Sequence, residues 1–172
     1  MVKGVTSTDR RNDIIHSAVE VFAEFGYYRA TTAQVAERAS ISQPYVYRFF
    51  TKESLLEAAL ELSWQRILQA FQRVKETTSP ELLELGFIRA YEEITQSHRN
   101  EILLQMQAQT IQEAPIRAVM KRGMNEVRQF VMQAFEEAGL QEAEEMTTMF
   151  LARGMLCNVS LALDMPDLMI KK

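Results

Sequence analysis

The sequence predicts an all-α protein, and three observations carry that expectation. Helix breakers are few, with six glycines and four prolines among 172 residues, while Ala, Leu, Glu, Gln and ten methionines are plentiful. Apolar residues recur three or four apart in one segment after another. No stretch alternates polar and apolar side chains as a half-buried strand does.

The first helix runs from Asp9 to Gly26, with Ile14, Ile15, Ala18, Val19, Phe22 and Phe25 on one face and Gly26 as its stop. Thr31, with Gln34 three residues on, has the spacing of a capping box and opens a short second helix with Val35, Ala36 and Ala39 inward. Ser40-Ile41-Ser42 is a sharp turn. Ser42 is placed to cap a third helix, Gln43 to Phe50, whose Pro44 sits in the first turn, where a missing N–H does no harm. Thr51 caps a long fourth helix that reaches Lys75. Ser79-Pro80 opens another to Gln96, the polar connection Ser97 to Asn100 follows, and Glu101 to Gln112 is helical. Pro115 begins a long helix ending at Gly139, and the last spans Glu142 to Leu163, with Pro166 beyond it.

The balance of 47% hydrophobic and 24% charged residues excludes disorder and collagen-like repeats. A single cysteine, Cys157, excludes an internal disulfide. The opening MVKGVTSTDRRND lacks the apolar core of a signal peptide, and no apolar run reaches the length of a membrane span. A cytoplasmic protein with no membrane partner is expected. Residues 1–52 hold seven Lys/Arg and five Asp/Glu, a net +2, whereas residues 53–172 hold twelve and eighteen, a net −6. A mildly basic amino end suits a phosphate backbone, although chance in a short segment gives the same split.

Three short helices, the second and third joined by a tight turn, describe a helix-turn-helix. Its third helix must enter a major groove, so its outer face needs polar and aromatic side chains. Gln43, Pro44, Tyr45, Tyr47 and Arg48 meet that need, while Val46, Phe49 and Phe50 supply the apolar side. Thr31 and Thr32 begin the second helix, where free N–H groups attract a phosphate. Each has a plainer reading: Tyr45 and Tyr47 packed between helices, Arg48 as a solvated charge, Thr31 as a cap.

The run GYYRATTAQVAERASISQPYVYRFFTKESLLEAAL resembles the DNA-binding region of TetR-family repressors, a likeness covering residues 9–60. The resemblance implies a helix-turn-helix DNA-binding domain over 1–52 and a helical ligand-binding and dimerisation domain over 53–172. It implies that Gln43, Pro44 and Tyr45 face bases, that Thr32, Tyr47 and Lys52 hold phosphates, and that Arg48 does either, with Thr31 and Ser42 completing the DNA-binding set. Two departures stand out. Ser40 occupies a turn position that is glycine in many relatives. The link from Phe49-Phe50 to Lys52-Glu53 is one residue short, which displaces Lys52.

By the same resemblance the partners are a palindromic double-stranded DNA operator, a second copy of the chain and a small-molecule effector. Trp64, Phe71, Phe87, Tyr91, Met106, Gln109, Met120 and Met124 lie on the helices that enclose the ligand in the family, with Gln105 and Arg89 as further polar anchors; the same residues also suit a plain core. The last two long helices carry broad apolar faces, Val127, Phe130, Val131, Ala134 and Phe135 on one, and Met149, Phe150, Ala152, Met155, Leu156, Val159 and Leu163 on the other. Paired across a two-fold axis they make a four-helix interface, to which Phe130, Met149, Phe150, Arg153, Gly154, Cys157 and Leu161 are assigned; packing within one chain is the alternative.

Catalytic residues, metal ligands and cofactors are not expected. His16 lies on the first helix, and His98 sits in a polar connection without an acidic or cysteine partner at ligand spacing. Glu92-Glu93 and Glu144-Glu145 are adjacent and point to different faces. Cys157 reads as a small core residue rather than a redox sensor. The expected function is a ligand-released repressor; an activator, a regulator controlled by a protein partner, and a helical interaction protein without DNA function are the alternatives.

Overall fold

The structure, a computed structural model, describes residues 7–169. The expectations about the amino-terminal residues 1–6 and the end of the chain lie outside the described residues. The helices are α1 (Ser7–Phe25), α2 (Thr32–Arg38), α3 (Gln43–Tyr47), α4 (Lys52–Thr77), α5 (Leu83–Ser97), α6 (Arg99–Ala108), α7 (Ala114–Glu137) and α8 (Ala143–Leu163), with single 3₁₀ turns at Pro80–Leu82 and Pro166–Leu168. No strand occurs among the described residues.

Local chemistry sets most of these boundaries. Thr31 accepts from the Gln34 N–H at 3.2 Å while its own N–H donates to Gln34 Oε1 at 2.8 Å, closing the expected capping box at the start of α2. Thr51 and Ser54 repeat the device at the start of α4. At the end of α2, Ser40 N–H donates to Glu37 O and Ile41 N–H to Ala36 O, with Ser40 left-handed at φ 56°. The same double bond closes α7 at Gly139, whose φ is 71° and which has no side chain to crowd the backbone. A left-handed serine is strained by about 1–2 kcal/mol. Ser40→Gly removes that strain but adds chain entropy, so it is expected to raise unfolding stability by about 0.5–1 kcal/mol. A urea midpoint unmoved or lowered contradicts this.

Four expected boundaries are corrected. Helix α3 ends at Tyr47 rather than Phe50, because the N–H groups of Phe49 and Phe50 both turn back onto Val46 O. Ser42 occupies the cap position of α3 without a side-chain cap bond. The polar connection at Ser97–Asn100 shrinks to His98, the bend between α5 and α6. Helix α6 stops at Ala108, four residues before Gln112.

The long α4 is the spine. It begins at Lys52 and packs on α1 near its start and on α5, α6 and α7 farther along. Its buried Leu55, Leu56, Ala59 and Leu60 join Ile14, Ala18 and Phe22 of α1, while Ile67 and Phe71 enter a second group with Phe87, Phe135 and Phe150. In that group Phe71 and Phe87 lie 4.9 Å apart, centroid to centroid. Arg66 of α4 grips the buried carboxylate of Glu101 on α6 at 2.8 and 3.0 Å. Helix α1 also touches α6, where Gln107 Nε2 donates to Ala23 O at 2.8 Å.

The expectation that nothing reaches membrane-spanning length also needs correction. Helix α8 is long and apolar enough by length and composition, with a mean hydropathy of 1.3 over its best window. Thr, Ser, Asn and Gly interrupt every continuous apolar run, but Arg153 is the only charge from Met146 to Leu163, so the average still rises.

Candidate nucleic-acid interface and ligand cavity

Val46, fully buried, pins α3 to the rest of the amino-terminal unit. With that side chain inward, Pro44, Tyr47 and Arg48 are exposed and Tyr45 is half-buried against Phe49, 5.4 Å between centroids. The Arg48 guanidinium stands 5.4 Å from the Tyr45 ring and has no carboxylate partner among the described residues. Arg38 by contrast is spent inside the unit, held by Glu20 and Glu24 at 2.8 Å each. The positive charge available to a phosphate or a guanine on this helix is therefore that of Arg48.

The two short helices are joined by a small polar network. Thr32 Oγ1 donates to Tyr47 Oη at 2.9 Å and accepts from Gln43 Nε2 at 3.0 Å. Thr32 is buried, and in this conformation its hydroxyl is engaged with Gln43 and Tyr47. Lys52 is also turned back, with Nζ donating to Tyr28 O at 3.3 Å and lying 4.8 Å above the Tyr27 ring. Thr31 and Ser42 are exposed at the two helix starts, Thr31 as a working cap. Tyr28, exposed beside them, donates to Glu113 at 3.1 Å and links this unit to the segment before α7.

Farther along the chain α4 to α8 surround an apolar cavity of about 60 Å³. Six of the eight expected ligand residues line it: Trp64, Phe71, Tyr91, Gln109, Met120 and Met124. Phe87 does not, since it is fully buried among other aromatic rings, and Met106 does not, although Gln105 one residue earlier and the exposed Gln109 just past the end of α6 both border it. Arg89 is exposed and away from the cavity. Gln105, fully enclosed, donates to Ser63 Oγ, and Tyr91 donates to Asn158 Oδ1 at 2.8 Å. Desolvation pushes the Tyr91 phenol up to about 12 and burial likewise raises the Cys157 thiol, so both stay neutral near pH 7. Asn158 was not singled out from the sequence; an asparagine within an otherwise apolar helix was the available signal.

The expected dimer residues divide. Phe150 is core, and Arg153, Gly154 and Cys157 face the cavity, Gly154 opposite Tyr91. Phe130 and Leu161 are half-buried within the chain. Only Met149 is on an open face, and there it heads a stripe of exposed or partly exposed apolar side chains at three- and four-residue spacing, Met149, Ala152, Leu156, Val159 and Leu163. The reason is helical phase: at about 100° per residue Gly154 lies nearly opposite Leu156 on α8, and Cys157 is turned about a quarter of the way round from Leu156.

Among catalytic candidates, His98 does gain an acidic neighbour, Glu101 Oε1 at 3.7 Å from Nδ1, correcting the expectation of none. That carboxylate is already bound by Arg66, and no group of three metal-ligating side chains is found among the described residues.

Residues 14–65 match the model of the bacterial regulatory proteins of the tetR family. The chain is 31% identical over 72 residues to the HTH-type transcriptional activator FasR of Mycolicibacterium smegmatis, covering 41% of this chain and 33% of that protein. It is 26% identical over 111 residues to the HTH-type transcriptional repressor KstR2 of the same organism, covering 62% and 53%. It thus spans about a third to a half of the length of these curated relatives. The structure of the transcriptional regulator FadR from Bacillus subtilis, in complex with stearoyl-CoA, shares the fold with a TM-score of 0.72 at 19% identity, over 91% of this chain and 90% of that one.

Proposed function

We propose that this chain, a tetR-family protein through its residues 14–65, is a dimeric transcriptional repressor released from a palindromic operator by a small apolar or amphipathic ligand. The family match carries the reading, and the unpaired Arg48 beside Tyr45 and Tyr47 gives it chemistry. In this reading residues 1–52 bind DNA in the cytoplasm and 53–172 hold the ligand and the partner copy. Gln43, Pro44 and Tyr45 meet bases, Tyr47 and Arg48 meet bases or phosphates, and Thr32 holds Gln43 and Tyr47 in place. Two such heads reach successive major grooves when their centres lie about 34–36 Å apart, which a two-fold dimer provides.

The exposed stripe on α8 supports the dimer, since an apolar row of this length is costly to leave in water. The stearoyl-CoA named with the FadR structure supports an apolar ligand for a cavity of the same fold. For repression to lift, the ligand must bind the DNA-incompetent form more tightly, because equal affinity shifts nothing. The names of the relatives include an activator, so the sign of regulation is read from a reporter with and without ligand.

Selection of bound duplexes from random sequence tests the head directly. An enriched palindrome is expected. Arg48→Ala is expected to weaken its binding by roughly 5- to 150-fold, the range of one good base or charged contact, with helicity unchanged. Absence of any preferred duplex, or full affinity after Arg48→Ala, contradicts the reading.

A further inference from the structure

The cavity has a chemical bias of its own, and the inference drawn from it rests on the proposed role of the body as a ligand-binding unit. Its volume of about 60 Å³ is less than half of the roughly 150 Å³ that holds a benzene in an engineered protein cavity. A ligand larger than this extends through the open side of the cavity or displaces part of its wall. Met120, Met124 and Met155 are the flexible side chains that permit this.

The wall's polar groups differ in how they are satisfied. The Asn158 carbonyl and the Tyr91 hydroxyl bind each other. The buried donor left without a partner among the described residues is Trp64 Nε1, on a side chain that lines the cavity. Gln105 makes one hydrogen bond, Nε2 to Ser63 Oγ, while its side chain is 97% buried (3% exposed) and lines the same cavity. A carboxamide in that state offers both a donor and an acceptor to whatever enters. The charges of the lining are Glu92 and Arg153, which face each other at 3.7 Å and remain partly solvent-exposed. The one cation of the lining, Arg153, is already engaged by the Glu92 carboxylate, so an anion entering the cavity competes with Glu92 for it.

We infer that the cavity selects a ligand whose buried end is apolar and carries one uncharged hydrogen-bonding group, a ketone, ester-type carbonyl or hydroxyl, read by Gln105, and that a free carboxylate is refused there. The discrimination comes from hydrogen-bond complementarity on one side and the cost of burying an unpaired anion on the other.

The test uses the full chain and three probes of equal length: 2-nonanone, 1-nonanol and nonanoate. Titration calorimetry is expected to give ketone and alcohol affinities at least tenfold above that of nonanoate. Gln105→Met, which keeps the length but removes the carboxamide, is expected to weaken the ketone about tenfold and leave nonanoate unchanged. The carbonyl stretch of bound 2-nonanone is expected to move to lower frequency in the unaltered protein, a reading that needs no variant to fold. Nonanoate binding as tightly as the ketone, an unshifted carbonyl band, unchanged ketone affinity in a folded Gln105→Met protein, or no binding of any probe each overturns the inference. Operator binding measured on the same samples reports separately on the proposed function.

Discussion

Gly123→Ala is expected to destabilise the protein by about 1–3 kcal/mol, the cost of forcing extra volume into a packed core. A Cβ at this position on α7 falls far inside van der Waals contact of Cγ, Cδ1 and Cδ2 of Trp64. The atoms it meets belong to a rigid, buried indole rather than to the tip of a flexible chain, so the ring itself must move. The better helix propensity of alanine, about 1 kcal/mol, offsets only part of the collision. For a chain of this size each kcal/mol lowers Tm by about 2–4 °C. Because Trp64 also forms cavity wall, the displaced indole is expected to alter ligand capacity as well. The cause is isolated by a second change: Trp64→Leu costs stability alone, but costs less in the Gly123→Ala background. Additive losses in thermal unfolding refute the collision.

The second large effect concerns the open face of α8. Leu156→Glu sets a carboxylate in the middle of the exposed stripe, opposite its own copy in a two-fold pair. The expected product is a folded monomer of 19.8 kDa in sedimentation. Operator affinity is expected to fall on the order of 100-fold, because two heads no longer bind as one. Leu82→Glu alters an equally exposed leucine off the stripe and is expected to change neither. If Leu156→Glu leaves the sedimentation coefficient of the parent, the stripe is not the interface.

The amino-terminal unit was the most legible part of the sequence because its signals are local. The capping boxes at Thr31 and Thr51, the proline in the first turn of α3 and the strained serine at position 40 each depend on neighbours within a few residues. Thr32 escaped that logic. Its hydroxyl is turned inward by Tyr47, fifteen residues away, which spacing on a single helix does not reveal.

In the body the helices were readable and their faces were not. Helix α8 is apolar around most of its circumference, so periodicity alone does not say whether Gly154 or Leu156 looks outward; the packing of α5, α6 and α7 against it decides. The same holds for Phe71 and Phe87, which touch each other while only Phe71 reaches the cavity. Composition foretold a soft interior, and tertiary phase chose which soft residues border empty space.

Thr32, Gln43 and Tyr47 already hold one another before any duplex arrives. A glutamine that has surrendered its rotamers during folding has little freedom left to lose on meeting a base edge, so encounter costs it less entropy than it costs a loose surface side chain. Arg48 is exposed and carries no such network. In the proposed function, the surface offered to DNA then divides its labour, with one part preorganised to discriminate and the other left open to water.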